Sequence, residues 1–459
     1  MQKIKHEAAI LAIGVILARL QGAAQQLPPE PGVEAELRSS SALIPAGTAG
    51  AVAPTAPGGA VIAGTQAWAC DAAQGFRPVV SIDNTTDPML AIGTTNGIKL
   101  PNSPTTTPAT CGQMAMASSG TVYVAQAVVD TNQTPSTNRG VLRTAIDPAT
   151  GAFVGPSAYI AETAGLDGPQ VTAAAIGPDG NLYVGFLKSG DIKRIINPGS
   201  GTTQVVQKIG ITPSGHAARA FAFDGNDLYI ASVDAFSVIK SATSAACTGG
   251  CNATVISDGF SGVVHTGVTS DGKGTLYFAV ANTFPGGSQV WRYVPSTLQY
   301  TFISKGGADR NGANASNFSF ASAKTNMLAV DANGNLWIGD DASNGTVLGA
   351  GRIWTVSAAA MATLTQSNFI AGTNVQSIFN LLIESWFMGF TTNNFTITFF
   401  ADGTFTSVGP TDAGTWSIAP PNRVLAANPT CHLTFTDNQG VVLFSADFIM
   451  LRVDQLVAL

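Results

Sequence analysis

A short unit that recurs along the chain constrains its fold more than any other feature. In the copy at residues 174–185, an apolar run leads to a turn at Asp179 and Gly180, and an alternating run around Tyr183 follows. An Asp-Gly pair between two such runs predicts a tight β-hairpin, because glycine accepts the positive φ of a twisted hairpin. A second turn leads to residues 190–195, so each unit is a small β-meander. One meander buries only one face, and repeating it every ~40–50 residues predicts a β-propeller.

An aromatic residue in the second strand of the unit marks each copy. These anchors are Trp68, Tyr123, Tyr183, Tyr229, Tyr277 and Trp337. A short run that often carries a basic residue follows each of them, and the basic residues are Arg77, Arg143, Arg194, Lys240, Arg292 and Arg352. The two signals recur in the same order six times, which predicts six blades. The pattern resembles the NHL and SMP-30/gluconolactonase-like six-bladed propellers over residues 60–361, and this resemblance implies a fold rather than an activity.

The N-terminal region has the pattern of an export signal followed by a leader. Lys3 and Lys5 precede an apolar run at residues 8–18 and small residues at 22–24, which predicts a secretory signal peptide over residues 1–24. The alternative is an uncleaved membrane anchor, although the run is shorter than the ~20 residues that span a bilayer. Residues 25–60 are rich in Pro, Ala and Gly, which predicts a flexible leader, and the propeller is expected to occupy residues 61–362.

A different pattern begins after the propeller. An apolar stretch at residues 375–388 is a possible helix, and alternating residues predict strands that follow it at 395–400, 404–406, 414–418, 432–435 and 441–444. The order of a strand, the turn at Asp402 and Gly403, and a strand around Trp416 resembles the hairpin of small lipocalin-like β-barrel domains. The sequence therefore predicts an all-β protein with a small antiparallel β domain at residues 368–459, preferably a barrel.

The sequence contains five cysteines. Disulfides are expected because an exported chain meets oxidising conditions. Cys247 and Cys251 would close a tight loop, and the alternative is a thiol metal or redox site. Cys70 and Cys111 lie on neighbouring predicted blades and are expected to pair. Cys431 is then left over.

Composition and motifs exclude several classes of function. The net charge of −6 provides no basic surface for nucleic acid. The sequence contains no nucleophile elbow, no zinc-protease motif and no phosphate-binding loop. We expect a secreted or periplasmic protein with no transmembrane span in its mature chain.

One set of polar residues suggests a binding site. When the blades are aligned on their anchors, Gly112, Thr172, Arg219, His265 and Asn326 take equivalent positions near the start of the innermost strands. The innermost strands of a propeller line its central channel, so these residues predict a ring at one channel mouth. The alternative is that wet channel positions simply tolerate polar residues. Arginine and histidine favour an anionic or carbonyl-bearing ligand.

The gluconolactonase resemblance implies a divalent cation held in the channel by acidic and amide side chains. The predicted ring offers Asn326 but no carboxylate, although Asp340 and Asp341 could approach one end of the channel. No cofactor is therefore predicted, and a divalent cation stays an open alternative. The blade pattern also resembles that of streptogramin lyases, which use a catalytic histidine. This resemblance implies that His265 would be the catalytic residue.

These observations leave two hypotheses for the function. The first is an exported binding or scaffold protein that engages a protein, a glycan or a small ligand. The alternative is a propeller hydrolase or lyase, similar to lactonases, that acts at the channel mouth.

Overall fold

The computed structural model describes most of the propeller and a series of strands beyond it. The described residues are 16–19, 33–40, 43–44, 47–83, 88–98, 111–126, 140–160, 171–186, 189–198, 205–213, 217–233, 235–247, 250–256, 264–281, 288–297, 299–304, 306–309, 318–320, 327–341, 351–364, 385–389, 394–399, 404–408, 413–419, 430–437, 439, 442–452 and 455–458. The protein is all-β, and the one α-helix among these residues is α1 (Ala358–Ala362).

Six antiparallel meanders form the blades of a β-propeller. Before the first blade come β1 (Ile16–Arg19) and β2 (Ala35–Ser39). Blade one contains β3 (Ala51–Val52), β4 (Pro57–Ala63), β5 (Gln66–Asp71), β6 (Gly75–Ser81) and β7 (Leu90–Gly93). Blade two contains β8 (Cys111–Met116), β9 (Thr121–Gln126), β10 (Val141–Ala145) and β11 (Ala158–Tyr159). Blade three contains β12 (Val171–Ile176), β13 (Leu182–Phe186), β14 (Asp191–Ile196) and β15 (Val205–Ile211).

The second half of the propeller repeats this plan. Blade four contains β16 (Ala218–Asp224), β17 (Asp227–Ser232) and β18 (Phe236–Ile239). The short strand β19 (Cys251–Asn252) joins blade three, and β20 (Thr254–Val255) joins blade four. Blade five contains β21 (His265–Ser270), β22 (Leu276–Val280), β23 (Gln289–Val294) and β24 (Gln299–Ser304). Blade six contains β25 (Gly306–Asp309), β26 (Phe318–Ser319), β27 (Met327–Val330), β28 (Leu336–Asp341) and β29 (Gly351–Val356).

The blades close into a ring through their innermost strands. These strands, β4, β8, β12, β16, β21 and β27, contact one another in this order, and β27 contacts β4 again. Apolar clusters fill the space between neighbouring blades; one of them combines Trp68 and Phe76 of blade one with Val122 and Val124 of blade two. The six-bladed propeller predicted from the repeat is confirmed.

Blade six includes a strand from the N-terminal region, which lies between β29 and β25. Strand β2 pairs antiparallel with β29 and parallel with β25, so residues from both ends of the propeller share one sheet. This differs from the flexible leader predicted for residues 25–60, which also contains β3 and most of β4. Residues 35–39 alternate between buried and half-buried positions, and their partner strand lies more than 300 residues away in the sequence.

The tight turns of the repeat form as predicted. At the turn of blade three, Gly180 has a φ of +75° and its amide donates to the carbonyl of Gly177. The equivalent glycine of blade two, Gly120, has a φ of +83°, and a Cβ there would collide with the carbonyl oxygen of Ile146. These turns therefore require glycine at both positions.

The aromatic anchors and the basic residues pack together in several blades. Three arginines lie directly across the sheet from their tyrosine anchors, in the pairs Tyr123 and Arg143, Tyr183 and Arg194, and Tyr277 and Arg292. In blade four the Lys240 ammonium lies 5.9 Å from the centroid of the Tyr229 ring. The recurring basic residue in the sequence is thus mainly a packing partner of the anchor.

The remaining strands form a separate antiparallel sheet. They are β30 (Ser385–Gly389), β31 (Asn394–Phe399), β32 (Thr404–Val408), β33 (Ala413–Ala419), β34 (Thr430–Asp437), β35 (Val442–Arg452) and β36 (Gln455–Ala458). They pair in sequence order, and β1 pairs with both β30 and β36. The described end of the stretch predicted as a possible helix is strand β30. The lipocalin-like resemblance stays a prediction.

Strand β1 lies within the predicted signal peptide. The other residues of that segment lie outside the described part of the chain, and so does the cleavage region. The signal peptide therefore stays a prediction. In the described part of the chain, no helix has the length and apolar character needed to cross a membrane.

Both predicted disulfides are present. Cys70 and Cys111 connect blades one and two with a Cα–Cα distance of 5.6 Å. Cys247 and Cys251 close the short loop after blade four with a Cα–Cα distance of 5.0 Å. The sulfur atoms of Cys247 and Cys251 are bonded to each other, so the alternative of a thiol metal site does not apply in this state.

Candidate functional site at the channel mouth

A β-bulge lies near the start of the innermost strand in each of the first five blades. We call this end of the channel, where the innermost strands begin, the channel mouth. The shifts in register fall between Pro57 and Gly59, Cys111 and Met114, Val171 and Ala173, Ala218 and Ala220, and His265 and Gly267. The residues left without a cross-strand partner are Gly58, Gly112, Gln113, Thr172, Arg219 and Thr266. Bulges of this kind change the direction of a side chain and often lie beside functional sites.

Consecutive bulges contact one another around the mouth. A Cβ on Gly58 would collide with the carbonyl oxygen of Cys111, and a Cβ on Gly112 would lie 2.5 Å from the carbonyl oxygen of Thr172. The Thr172 hydroxyl donates to the carbonyl of Ala218 in the next blade. The bulges of blades one to four therefore form a continuous rim. Because the backbones approach so closely, only glycine fits at positions 58 and 112.

Gln113 crosses the channel below this rim. Its carboxamide oxygen accepts hydrogen bonds from the amides of Phe221, at 2.7 Å, and Ala174, at 3.2 Å. Its Nε2 donates to the carbonyls of Phe221, at 2.6 Å, and Val268, at 3.2 Å. One side chain of blade two thus binds the exposed backbone edges of blades three, four and five.

The contacts of Gln113 lie at the same depth in all three blades. Ala174, Phe221 and Val268 each come two residues after the bulged residue of their strand. Two residues of strand correspond to ~6–7 Å. The ring of bulges and the Gln113 carboxamide two residues below it therefore mark one end of the channel, and we call the space that they border the cup.

Arg219 is the charged residue of the rim. It is half-buried, its Nε atom is buried, and this atom has no hydrogen-bond partner among the described residues. Burial lowers the pKa of the Arg219 guanidinium, and no described carboxylate forms an ion pair that would offset this effect. A desolvated cation without a partner is unfavourable unless an anion or a hydrogen-bond acceptor compensates it.

The structure brings some of the predicted ring residues to the rim and not others. Thr172 and Arg219 are bulged residues, and Gly112 shares the bulge of blade two with Gln113. His265 instead pairs with Val280 and is completely buried, with its ring 5.9 Å from Phe236 and 5.8 Å from Phe278 between centroids. Asn326 lies outside the described residues.

The rim residue of blade five is Thr266, one position after His265. The bulge adds a residue inside the strand, and the spacing of the aromatic anchors does not reveal such an addition. Gln113 was missed for the same reason. The only sequence signal for it is a glutamine beside Gly112 in an otherwise apolar strand.

The acidic residues considered for a metal site have other contacts. Asp340 is completely buried, forms an ion pair with Arg352, and accepts a hydrogen bond of 3.3 Å from Trp354 Nε1. The side chain of Asp341 lies outside the described part of the chain. In the part of the chain that the structure describes, no three His, Cys, Asp or Glu residues form a group that could hold a metal ion.

Comparison with known proteins shows similarity in fold only. No protein-family model and no curated protein sequence matches the chain. Among solved structures, a catalytically inactive variant of virginiamycin B lyase from Staphylococcus aureus with quinupristin is 12% identical, with a TM-score of 0.41 and coverage of 78% of this chain and 96% of that one. An auxiliary nutrient binding protein from Bacteroides thetaiotaomicron is 12% identical, with a TM-score of 0.43 and coverage of 74% and 76%. A carbohydrate-active enzyme of family AA12 from Trichoderma reesei is 12% identical, with a TM-score of 0.45 and coverage of 73% and 100%.

Proposed function

We propose that this protein is an exported binding protein that takes a small carboxylate ligand at the channel mouth. The observation that carries the proposal is Arg219, a half-buried guanidinium without a counterion among the described residues. A carboxylate would supply the missing negative charge and match the planar donors of the guanidinium with two parallel hydrogen bonds. Export is supported by the N-terminal sequence pattern and by two disulfides, which are rare in reducing compartments.

The shape of the cup favours a small ligand. The Gln113 carboxamide binds the backbone two residues below the rim, so a ligand bound to Arg219 would rest above it. The hydroxyl groups of Thr172 and Thr266, in the neighbouring blades, are buried and already donate to backbone carbonyls, so Arg219 is the side chain that would hold the ligand. A compact carboxylate therefore fits the chemistry of the rim.

The alternative, a propeller hydrolase or lyase, needs a group that transfers protons. The sequence predicts His265 for this role, but its complete burial between aromatic rings separates it from a ligand at the rim. Arg219 is the one ionisable side chain among the described bulged residues, and an arginine stays protonated at ordinary pH. Binding is therefore the better-supported function of this site.

Calorimetric titration of the purified protein tests the proposal. The probes are D-gluconate, D-glucuronate, citrate and L-glutamate, with D-glucose as the uncharged control. We expect saturable binding of at least one carboxylate and a loss of about 10- to 100-fold in affinity in Arg219→Met, because a charge-assisted hydrogen bond contributes ~1.5–3 kcal/mol.

The matched control is Lys240→Met on the same blade. Lys240 is an exposed cation paired with Asp227 at the far end of the blade, so its loss should leave the affinity unchanged. Equal affinity in the wild type and Arg219→Met, or the absence of binding to every carboxylate, would contradict the proposal.

A further inference from the structure

A cavity lies at the seam between blades six and one. It has a volume of about 550 Å³ and is lined by Arg38, Gln66, Ser81, Asp331, Asn335 and Trp337 among others. Asp331 and Asn335 belong to the turn between the first two strands of blade six, so this seam groove opens at the end of the propeller opposite the channel mouth. Its volume is within the ~300–1,000 Å³ range of small-ligand sites.

Trp337 breaks the pattern of the aromatic anchors at this groove. The other five anchors, Trp68, Tyr123, Tyr183, Tyr229 and Tyr277, are buried. Trp337 is only half-buried and contributes its indole to the groove wall. Blade six is therefore the one blade whose aromatic anchor is partly exposed to solvent.

The hydrogen bonds of the anchors show how blade six differs. Trp68 Nε1 donates to the carbonyl of Gly151 in the next blade at 2.9 Å, and the Tyr123 hydroxyl donates to Pro198 of the next blade at 3.0 Å. Trp337 Nε1 instead donates to Asp331 Oδ2 of its own blade at 3.3 Å. Its cross-strand partner is Thr355, where blades two, three and five have an arginine.

Polar side chains around the indole are held in place by the protein itself. Asp331 accepts hydrogen bonds from the amide of Asn335, at 2.8 Å, and from its carboxamide, at 2.9 Å. Arg38 donates to the Thr355 hydroxyl at 3.0 Å and forms an ion pair of 3.1 Å with Glu36. These contacts fix donors and acceptors at the groove before any ligand arrives, which lowers the entropic cost of binding.

The charges in the groove favour an uncharged ligand. The Arg38 guanidinium is balanced by Glu36, and the Asp331 carboxylate already accepts several internal hydrogen bonds. The combination of a partly open indole face with fixed polar groups suits a molecule that has an apolar ring face and hydroxyl groups at its edges. An aromatic side chain provides contact area and a rigid flat surface for such a ring.

We propose that the seam groove binds a neutral carbohydrate, with a pyranose ring stacked on Trp337. The site is independent of the Arg219 cup, since the two lie at opposite ends of the propeller. The polar edge of the sugar would meet Asp331, Asn335 and Gln66, and the open shape of the groove suits one stretch of an oligosaccharide.

Titration with defined oligosaccharides tests this proposal. The probes are cellohexaose, xylohexaose, mannohexaose, maltohexaose and chitohexaose, followed by calorimetry and by intrinsic tryptophan fluorescence. We expect saturable binding of at least one of them, and affinity at least tenfold weaker in Trp337→Ala. Arg219→Met should bind the same oligosaccharide as well as the wild type, which separates the two sites.

A second variant blocks the groove without removing the indole. Ser81 is exposed at the groove, so Ser81→Leu should narrow it and weaken binding at least tenfold while the fold is retained. The matched control is Ser119→Leu, an exposed serine in a turn of blade two. Absence of binding to all five oligosaccharides would overturn the proposal, and so would wild-type affinity in Ser81→Leu.

Discussion

Removal of the Gln113 side chain tests whether one carboxamide joins three blades across the channel. Gln113→Ala deletes four hydrogen bonds to the backbones of Ala174, Phe221 and Val268. Each such bond contributes ~0.5–1.5 kcal/mol to stability. Gln113 is half-buried, so water replaces part of this loss, and we expect the free energy of unfolding to fall by about 1–3 kcal/mol.

A second substitution at the same position separates donors from acceptors. In Gln113→Glu the carboxyl retains acceptors for the amides of Phe221 and Ala174 but, when ionised, faces the carbonyls of Phe221 and Val268 without a proton. These carbonyls and partial burial raise the pKa of the introduced carboxyl in the folded state above its unfolded value. Folding therefore favours the protonated form of the introduced carboxyl. The stability of Gln113→Glu relative to wild type should be highest at acid pH, and it should fall as the pH rises through the pKa that the carboxyl has in the folded state.

Thermal unfolding followed by circular dichroism between pH 4 and 8 measures both effects. For a domain of this size, 1 kcal/mol corresponds to ~2–4 °C, so the midpoint of Gln113→Ala should fall by about 2–12 °C. Gln74→Ala is the control, because Gln74 is a half-buried glutamine that forms hydrogen bonds with Asp71 and Arg77 through its backbone atoms. A wild-type midpoint in Gln113→Ala, or a deficit in Gln113→Glu that does not change with pH, would refute the reasoning.

Two further predictions concern residues beside the cup. His265→Ala should lower the free energy of unfolding by about 2–4 kcal/mol, because an aromatic ring is removed from a packed core. The affinity for the carboxylate ligand should not change. Weakened binding with unchanged stability would contradict the placement of His265 between Phe236 and Phe278. Replacing Cys70 and Cys111 with serine opens a loop with a sequence separation of 41. On the chain-entropy model this should lower the free energy of unfolding by about 3–4 kcal/mol. The midpoint of thermal unfolding should therefore fall below that of the oxidised wild type, and an unchanged midpoint would be the contrary result.

The blade count could be predicted from the sequence because the repeat is local. Each copy carries its own turn glycine, aromatic anchor and alternating strand within about 20 residues, and these features suffice for a meander. The closing strand β2 could not be predicted in this way. Its five residues alternate in polarity, but the stretch is short, and its partners β29 and β25 are distant in the sequence.

The candidate site was only partly predictable for a related reason. Thr172 and Arg219 stand out as polar residues in apolar strands, and both are at the rim. The bulge between His265 and Gly267 moves the rim position of blade five by one residue, and the sequence carries no signal for it. Gln113 gains its importance from backbone groups of three other blades, which are adjacent only in the folded ring.

The most direct test of the central claim is a crystal structure of the protein with the carboxylate that binds most tightly in the titration. The account predicts that the carboxylate lies in the cup above Gln113, with both of its oxygens within hydrogen-bond distance of the Arg219 guanidinium. A ligand bound elsewhere, or an Arg219 that is already paired with a carboxylate of the protein itself, would contradict it.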